Sequence, residues 1–535
     1  MYNGAHVDIP LGLGGFDGNS NFYQIPATRL TVARNIVFRN DAIVKSPGIT
    51  AVDSTGVGAS VTLVGGHDWK PTTALQYQVT AWDDGNVYRS DTASTNLDAT
   101  TLLTGATFTE PVSFVTGGHL SLGADRTLYM YSKNERPQGL SGTATSFSNL
   151  TADSPDWSTN YPGGAIYHDA RIYAFDLDNA PHNYYVSALL DHGDYSLANG
   201  SKVFSIFPGE GQYISAMASF GGTTLYAFKY PVGIYRIDTQ NISGWTLPAE
   251  RVRDDIGCAG ADAVIKVGAD VYFVSPNGRL YSLASLNPDA DVRDADITSL
   301  FNLESFIKDN FDKNRAKWVT LAYDEVNKEL HYSFTSKSST NTVNDTSIIF
   351  NLETQGDPKI SFDDRGEFFN KVWRKSEYSE LDTLYAGGYG GKVYELNTEN
   401  RNVDGAAFTG EFQIPETDLR WVDPKLQGMR KRFDMIELTI IPSGNYDTTV
   451  TFTVDGQNNL SRTINLADFE SIYDPDTLYG TATFAGGRVA KKRIPVNAWG
   501  ETIAINFSNN GVNEEFKMVN LRLYYKAAGQ VYESA

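Results

Sequence analysis

The sequence at residues 225–235 is LYAFKYPVGIY, in which two apolar-tyrosine pairs stand nine residues apart with a glycine between them. The same arrangement recurs at residues 271–281, VYFVSPNGRLY, and at residues 384–394, LYAGGYGGKVY. Branched apolar and aromatic residues favour strands, and glycine accepts the backbone angles of tight turns. Each stretch therefore predicts a strand-turn-strand hairpin.

Looser copies of the pair extend this repeat, and successive anchor tyrosines lie 41 to 60 residues apart, at Tyr88, Tyr129, Tyr173, Tyr226, Tyr272, Tyr332 and Tyr385. A four-stranded propeller blade takes about 40 to 50 residues and must pack on neighbouring blades to bury both faces. The spacing predicts an all-β chain with a β-propeller of six or seven blades. The number of blades depends on whether residues 34–45 form a strand that closes the propeller. Unconnected β-sandwich domains are the alternative.

After about residue 405 the repeat stops and longer alternating runs begin, at Phe433–Ile441, Thr448–Val454, Thr502–Phe507 and Met518–Tyr525. In VTFTV, residues 450–454, apolar side chains alternate with threonines, as in a strand with one buried face. These runs predict a separate antiparallel β-sandwich. The predicted organisation is an extended N-terminal segment over residues 1–30, a propeller over 31–404 and a C-terminal sandwich over 405–535.

One segment breaks the strand pattern. Leu300, Leu303, Ile307 and Phe311 follow helical spacing, and Asp296 is a residue type that caps helix N-termini. We expect one helix inserted between blades at about residues 296–311. It could cover the propeller or bind a partner.

The chain is strongly acidic, with 44 basic and 64 acidic residues and a formal charge of −20. This balance argues against a general nucleic-acid binder, which needs Lys and Arg for the phosphates. The single cysteine, Cys258, excludes an intrachain disulfide and is consistent with folding in the cytosol. The N-terminus lacks the features of a signal peptide, and no apolar run is long enough to span a bilayer. We expect a soluble protein.

Sequence signatures of catalysis and metal binding are missing. There is no G-x-S-x-G and no H-E-x-x-H, and the glycine-rich residues 387–392 are followed by Val393 where a phosphate loop needs Ser or Thr. The acidic stretch Asp289, Asp291, Asp294 and Asp296 does not match a calcium loop. We therefore expect no enzyme activity, no catalytic or metal site and no cofactor.

Two basic clusters stand out in the C-terminal region, namely Lys425, Arg430, Lys431 and Arg432, and then Arg488, Lys491, Lys492 and Arg493. They could face DNA, contact an acidic neighbour or lie in solvated loops. A subunit contact is the preferred interpretation, because acidic copies packed together need complementary positive surfaces.

Several stretches resemble a known family. They are PLGLGGF at residues 10–16, ARNIVF at 33–38, IVKSPG at 43–48, DIGC at 255–258 leading to VYFVSPNG at 271–278, and IPVN at 494–497 through Phe516 to LRLYYK at 521–526. Together they are similar to the tail nozzle or tail tube proteins of short-tailed bacteriophages, the podoviruses. The resemblance is spread over both ends and the middle of the chain, and its motifs are structural.

This resemblance implies a structural virion protein, folded in the host cytoplasm, that forms a homohexameric ring in the tail. The ring would lie below the portal and adaptor proteins, continue the DNA ejection channel, hold or release the packaged DNA, and carry fibres or spikes outside. DNA would pass an acidic lining without sequence-specific binding. The alternatives are a receptor-binding or fibre-anchoring tail protein and, with less support, a glycan-degrading propeller enzyme, which would need a converging carboxylate pair.

Overall fold

A computed structural model describes residues 5–11, 14–18, 25–26, 28–53, 56–93, 96–118, 126–142, 144–152, 157, 159–209, 212–220, 222, 224–240, 249–286, 295–352, 359–376, 383–456, 458–467 and 489–527. Two compact units divide the chain. The propeller unit contains residues 51–347 and 366–396. The sandwich unit contains residues 1–50, 348–365 and 397–535.

The first half of the chain forms strands β1 (Ala5–Pro10), β2 (Val32–Arg34), β3 (Ile36–Arg39), β4 (Ala42–Lys45), β5 (Gly48–Ala51), β6 (Leu63–Trp69), β7 (Tyr77–Trp82), β8 (Val87–Arg89), β9 (Thr100–Leu103), β10 (Ser113–Gly117), β11 (Thr127–Ser132), β12 (Glu135–Leu140), β13 (Ser148–Asn149), β14 (Thr151–Ala152), β15 (Gly164–His168), β16 (Arg171–Phe175), β17 (Asn183–Val186), β18 (Asp194–Tyr195), β19 (Lys202–Ser205), β20 (Tyr213–Phe220), β21 (Thr224–Tyr230), β22 (Ile234–Asp238) and β23 (Ala249–Arg253).

The second half forms β24 (Val264–Val267), β25 (Asp270–Val274), β26 (Leu280–Ser282), β27 (Thr320–Asp324), β28 (Glu329–Phe334), β29 (Thr346–Asn351), β30 (Lys359–Asp363), β31 (Lys371–Lys375), β32 (Thr383–Gly387), β33 (Val393–Thr398), β34 (Gly410–Thr417), β35 (Lys431–Ile440), β36 (Asp447–Val454), β37 (Asn458–Asn465), β38 (Ala490–Gly500), β39 (Ile503–Asn509) and β40 (Lys517–Ala527). The helices are α1 (Ile297–Leu300) and α2 (Glu304–Asn310), with 3₁₀ turns at Leu197–Asn199, Ala261–Ala263, Lys313–Trp318 and Pro424–Leu426.

The propeller unit is a closed ring of seven blades. Within it, the first strands of successive blades pack against one another in the order β6, β10, β15, β20, β24, β27, β31, and β31 packs against β6. The ring closes where the start of the unit meets its end, since the backbone N–H of Val52 donates to the carbonyl of Val393 at 2.9 Å. The predicted propeller is confirmed, and seven is the number of blades in the described residues.

The repeated hairpins are the second and third strands of their blades. Tyr235 lies opposite Ala227, Tyr281 opposite Phe273 and Tyr394 opposite Ala386, so the three hairpins share one register. Six of the seven predicted anchors lie in second strands, whereas Tyr88 lies in β8, a third strand. The second strand of that blade is β7, whose buried aromatic residues are Tyr77 and Trp82.

The predicted helical insertion is confirmed in position, but it consists of two short helices, α1 and α2, and not of the one helix predicted. The Asp296 carboxylate accepts the backbone N–H of Ser299 at 3.1 Å, which caps α1. Ile307 and Phe311 are buried, and a Cβ atom added at Gly278 would lie within 3 Å of both side chains. The insertion therefore covers the β25–β26 turn of the fifth blade.

The sandwich unit contains two sheets around one core. One sheet has the order β3-β4-β40-β35-β38, with β1 also paired to β40, and the other includes β30-β2-β34-β39-β36-β37. The inner faces bury an apolar cluster that includes Phe412, Phe433, Phe452 and Phe507. All four predicted C-terminal strands are present, as β35, β36, β39 and β40.

The N-terminal region is organised differently from the prediction. Residues 34–45 do not supply a closing strand, because β3 and β4 form a hairpin in the sandwich unit and β4 pairs with β40. Their apolar side chains Ile36, Phe38 and Ile43 are buried in the sandwich core. Residues 1–50 thus belong to the same compact unit as the C-terminal strands. The prediction had divided them between a separate segment, residues 1–30, and the propeller.

Candidate subunit-contact surface

The outward face of the first sandwich sheet carries a row of alternating charges across four strands. Asp8 on β1 lies opposite Arg522 on β40, Arg522 lies opposite Glu437 on β35, and Glu437 lies opposite Arg493 on edge strand β38. Side chains two residues apart share one face of a strand, so Lys491 joins Arg493. We call the outward residues Asp8, Glu437, Lys491, Arg493, Pro495, Trp499, Arg522 and Tyr524 the cationic sheet face.

Glu437 holds two exposed cations in place. Its carboxylate is only 5% exposed, and its oxygens lie 3.1 Å from Lys491 Nζ and 2.9 Å from Arg493 Nε. Burial alone would raise the pKa of Glu437, but the hydrogen bonds from Arg493 and Lys491 outweigh it and lower that pKa. One carboxylate thus orders two cations, of which Arg493 is 70% exposed.

A second ion pair fixes the other side of the row. Arg522 Nε and Nη2 donate to the two oxygens of Asp8, at 2.7 and 3.1 Å. The hydrogen bond from Arg522 is the main cause that lowers the pKa of Asp8. A guanidinium bound through two nitrogens has little orientational freedom, so β1 and β40 present a rigid charged surface.

The second predicted basic cluster contributes most to this face. Lys491 and Arg493 point outward as described, whereas Lys492 alternates to the other side and its Nζ donates to the carbonyl of Ala467. Arg488 lies outside the described residues. Lys and Pro on an edge strand also discourage unwanted strand pairing, which gives Lys491 and Pro495 a second, structural explanation.

The first predicted basic cluster is divided by burial. Lys425 and Arg430 are exposed in the loop between β34 and β35, and Arg432 is paired with Asp434 at 2.9 Å. Lys431, in contrast, is fully buried, and its Nζ donates to the carbonyls of Met429 and Glu501 at 2.7 and 2.9 Å. Lys431 therefore joins the loop before β35 to the loop after β38 by hydrogen bonds, and its side chain is not available to a partner.

The sequence interpretation missed Glu437, Asp8 and Arg522, which complete the face. Their strands are distant in sequence, and nothing in the local pattern indicates that β1 joins β40. Period-2 alternation in β38 was the available signal, because it separates Lys491 and Arg493 from Lys492.

A second charged group, which the sequence interpretation also missed, lies in the propeller unit. Glu110 and Lys317 precede the first strands β10 and β27, and Lys133 and Asp176 follow the second strands β11 and β16. Lys317 Nζ lies 3.1 Å from Glu110 and 4.0 Å from Asp176, and Lys133 Nζ lies 3.0 Å from Asp176. Burial raises the pKa of Asp176 despite these two lysines. Glu110, Asp176 and Lys317 line a cavity with room for about one water molecule. These ion pairs join residues of the second and third blades to Lys317, which precedes the sixth blade.

The acidic stretch that the sequence offered as a metal-site candidate falls mostly outside the described residues. Asp289, Asp291 and Asp294 lie outside the described residues, and Asp296 caps α1. In the part of the chain that the structure describes, no group of three His, Cys, Asp or Glu side chains could hold a metal ion. Over the same residues, no helix is long and apolar enough to cross a membrane.

Comparison with known proteins gives structural similarities alone. No protein-family model matches the sequence, and no curated protein matches it. Among solved structures, the chain is similar to the WD40 β-propeller domain of Doa1, with 10% identity and a TM-score of 0.37 over 65% of this chain and 96% of that one. It is also similar to U3-55K, with 8% identity and a TM-score of 0.41 over 65% of this chain and 99% of that one.

Proposed function

We propose that this chain is a structural tail nozzle protein of a short-tailed bacteriophage, and not an enzyme. Six copies form a ring in the virion tail, below an adaptor protein and inside a set of fibres or spikes. The ring continues the DNA ejection channel and holds or releases the packaged DNA. The motif resemblance at both ends and in the middle of the sequence motivates this proposal.

The cationic sheet face is the observation that supports it most directly. A chain with a formal charge of −20 repels its own copies, and a compact ring brings those copies together. Ring formation therefore needs ordered positive groups at the contacts. Lys491 and Arg493 are such groups, because Glu437 holds both in place while leaving them exposed. Ordering before contact reduces the entropy lost on association.

The propeller supplies the rigidity that a conduit requires. All seven blades are joined to two neighbours, and the ring is closed by the Val52–Val393 hydrogen bond. Each copy can then use two different surfaces for its two neighbours, and such head-to-tail contacts close into a ring if the rotation fits. The excess of carboxylates lets DNA pass by repulsion and not by adhesion.

Electron microscopy of the purified full-length chain tests the proposal. We expect six-fold rings with a central hole, and we expect the same ring in the tail of intact virions. A protein that stays monomeric at micromolar concentration and has no place in the virion tail would contradict the proposed function.

A further inference from the structure

Large exposed apolar side chains are concentrated on the rim of the third blade. Leu189 and Leu190 are each 57% exposed and Leu197 is 59% exposed, and Val203 and Phe207 are also exposed. Elsewhere in the described part of the propeller unit, the exposed large apolar residues are Val232, Leu300 and Val326. Five such residues within one short stretch form an apolar patch, which we call the leucine rim.

Hydrogen bonds hold the leucine rim in a fixed conformation. Arg171 Nη1 donates to the carbonyls of Ser187 and Gly200, which joins the two ends of the segment between β17 and β19. The N–H of Ala188 donates to the carbonyl of Asp194 at 2.8 Å. Leu190 has φ +62°, a left-handed conformation that is rare for leucine. Such a conformation persists only where the surrounding structure determines it, so the exposed side chain of Leu190 is presented from a fixed backbone.

The leucine rim is bordered by negative charge. Asp169 and Asp191 are exposed. Asp194, three residues after Asp191, is half-buried. The nearby cations are Lys202, which is half-buried, and Arg171, whose guanidinium donates to backbone carbonyls. A partner for this surface needs apolar groups together with cations.

We infer that the leucine rim of one copy binds the cationic sheet face of the next copy in the ring. This inference rests on the proposed function and names the partner of its contact surface. The sheet face offers what the rim requires, because Pro495 and Tyr524 lie beside Arg493 and Arg522. Trp499 lies further along β38, opposite Arg432. Arg and Trp are enriched at the energetic centres of protein interfaces. The two surfaces differ, so the contact is head-to-tail and can repeat around a ring.

Cysteine cross-linking tests this contact in the full-length protein. The chain's own Cys258 is fully buried, so engineered surface cysteines can be oxidised selectively. We expect a mixture of Leu190→Cys and Pro495→Cys proteins to give disulfide-linked dimers. The double variant should give a ladder that ends at the number of copies in the ring. Val326→Cys, at an exposed position of the propeller unit, replaces Leu190→Cys in the control mixture and should give no dimer.

The outcomes separate this inference from the proposed function. Rings in electron micrographs without a Leu190–Pro495 cross-link would overturn the inference and leave the nozzle proposal standing. Equal cross-linking in the Val326→Cys control would also overturn it. A cross-linked ladder whose electron micrographs lack a closed, hollow ring would support the contact and contradict the nozzle.

Discussion

Glu437 is the residue that orders the cationic sheet face, and its removal should weaken both the fold and the face. Glu437→Gln keeps the shape of the side chain but loses its attraction to Lys491 and Arg493. Because these partners are largely exposed, we expect a loss of about 1 kcal/mol in the free energy of unfolding at pH 7. Urea denaturation measures it. Glu501→Gln, an exposed carboxylate in the same unit, is the control and should be neutral.

The pH dependence of this effect follows from the lowered pKa of Glu437. A carboxyl whose pKa is lower in the folded chain stabilises the fold above its unfolded pKa of 4.5, and this stabilisation is lost as the pH falls through the folded pKa. The difference between wild type and Glu437→Gln should therefore shrink below pH 4.5. A difference that stays constant down to pH 3 would contradict the assigned ion pairs.

Lys431 illustrates how the same residue type can be structural. Lys431→Met leaves the carbonyls of Met429 and Glu501 without their buried donor, and an unpaired buried polar group costs about 1–3 kcal/mol. We expect that loss in the free energy of unfolding. Lys425→Met, in the adjoining exposed loop, should change it by less than about 0.5 kcal/mol. Equal effects of the two substitutions would show that the hydrogen bonds from Lys431 to these carbonyls do not stabilise the fold.

Lys45 should give the sandwich unit a distinct alkaline response. Its buried Nζ donates to Asn509 Oδ1 at 2.8 Å and to the Gly511 carbonyl at 2.9 Å, and burial lowers its pKa from 10.5 to about 8. Between these values the unfolded chain binds more protons than the folded one, so stability should rise with pH. Lys45→Met should abolish this rise, as chemical denaturation at pH 8 and pH 10 would reveal.

At the scale of elements, two glycine turns of the fifth blade permit a direct comparison. Gly278 has φ +83°, and an added Cβ would lie 2.8 Å from the Phe311 ring, whereas Gly268 has φ +59° and open space around it. Gly268→Ala should cost only the left-handed backbone penalty, about 1–2 kcal/mol. Gly278→Ala adds a clash with a packed ring, about 1–3 kcal/mol more. Thermal unfolding should rank the two variants in this order.

The elements that sequence could predict are those whose signal is local. The hairpins at Tyr226, Tyr272 and Tyr385 share a spacing because one turn length joins the second and third strands of a blade. Tyr88 lies in a third strand because the first blade has Val79 where the fourth has Tyr226. Val79 lies opposite Arg89 as Tyr226 lies opposite Arg236, so Tyr88 is the counterpart of Tyr235. The pairing of β4 with β40 joins opposite ends of the chain, and no local pattern encodes it.

The candidate site was predictable only in part for the same reason. Alternation along β38 exposes Lys491 and Arg493, so the second basic cluster could be located from sequence. The burial of Lys431 depends on carbonyls from two loops, and the ordering of Arg493 depends on Glu437 of another strand. Such contacts arise only when the strands of the sheet come together.

At the scale of the whole molecule, charge should control assembly. Screening by salt weakens attraction between exposed charges, and it also weakens repulsion between acidic copies. Salt alone therefore cannot distinguish the effect of net charge from the effect of charges at the contact, and paired substitutions are needed. Arg493→Gln and Lys266→Gln each remove one exposed cation, from the cationic sheet face and from the propeller unit respectively, so both change the net charge equally.

If the cationic sheet face forms the contact between copies, Arg493→Gln should weaken assembly about tenfold, which corresponds to about 1.4 kcal/mol per contact. Lys266→Gln should leave assembly unchanged, because it alters only the overall repulsion. Analytical ultracentrifugation of both variants at low ionic strength measures the dissociation constants, and circular dichroism verifies that both are folded. Equal weakening by the two substitutions would mean that net charge, and not the ordered pair on Glu437, governs how the copies associate.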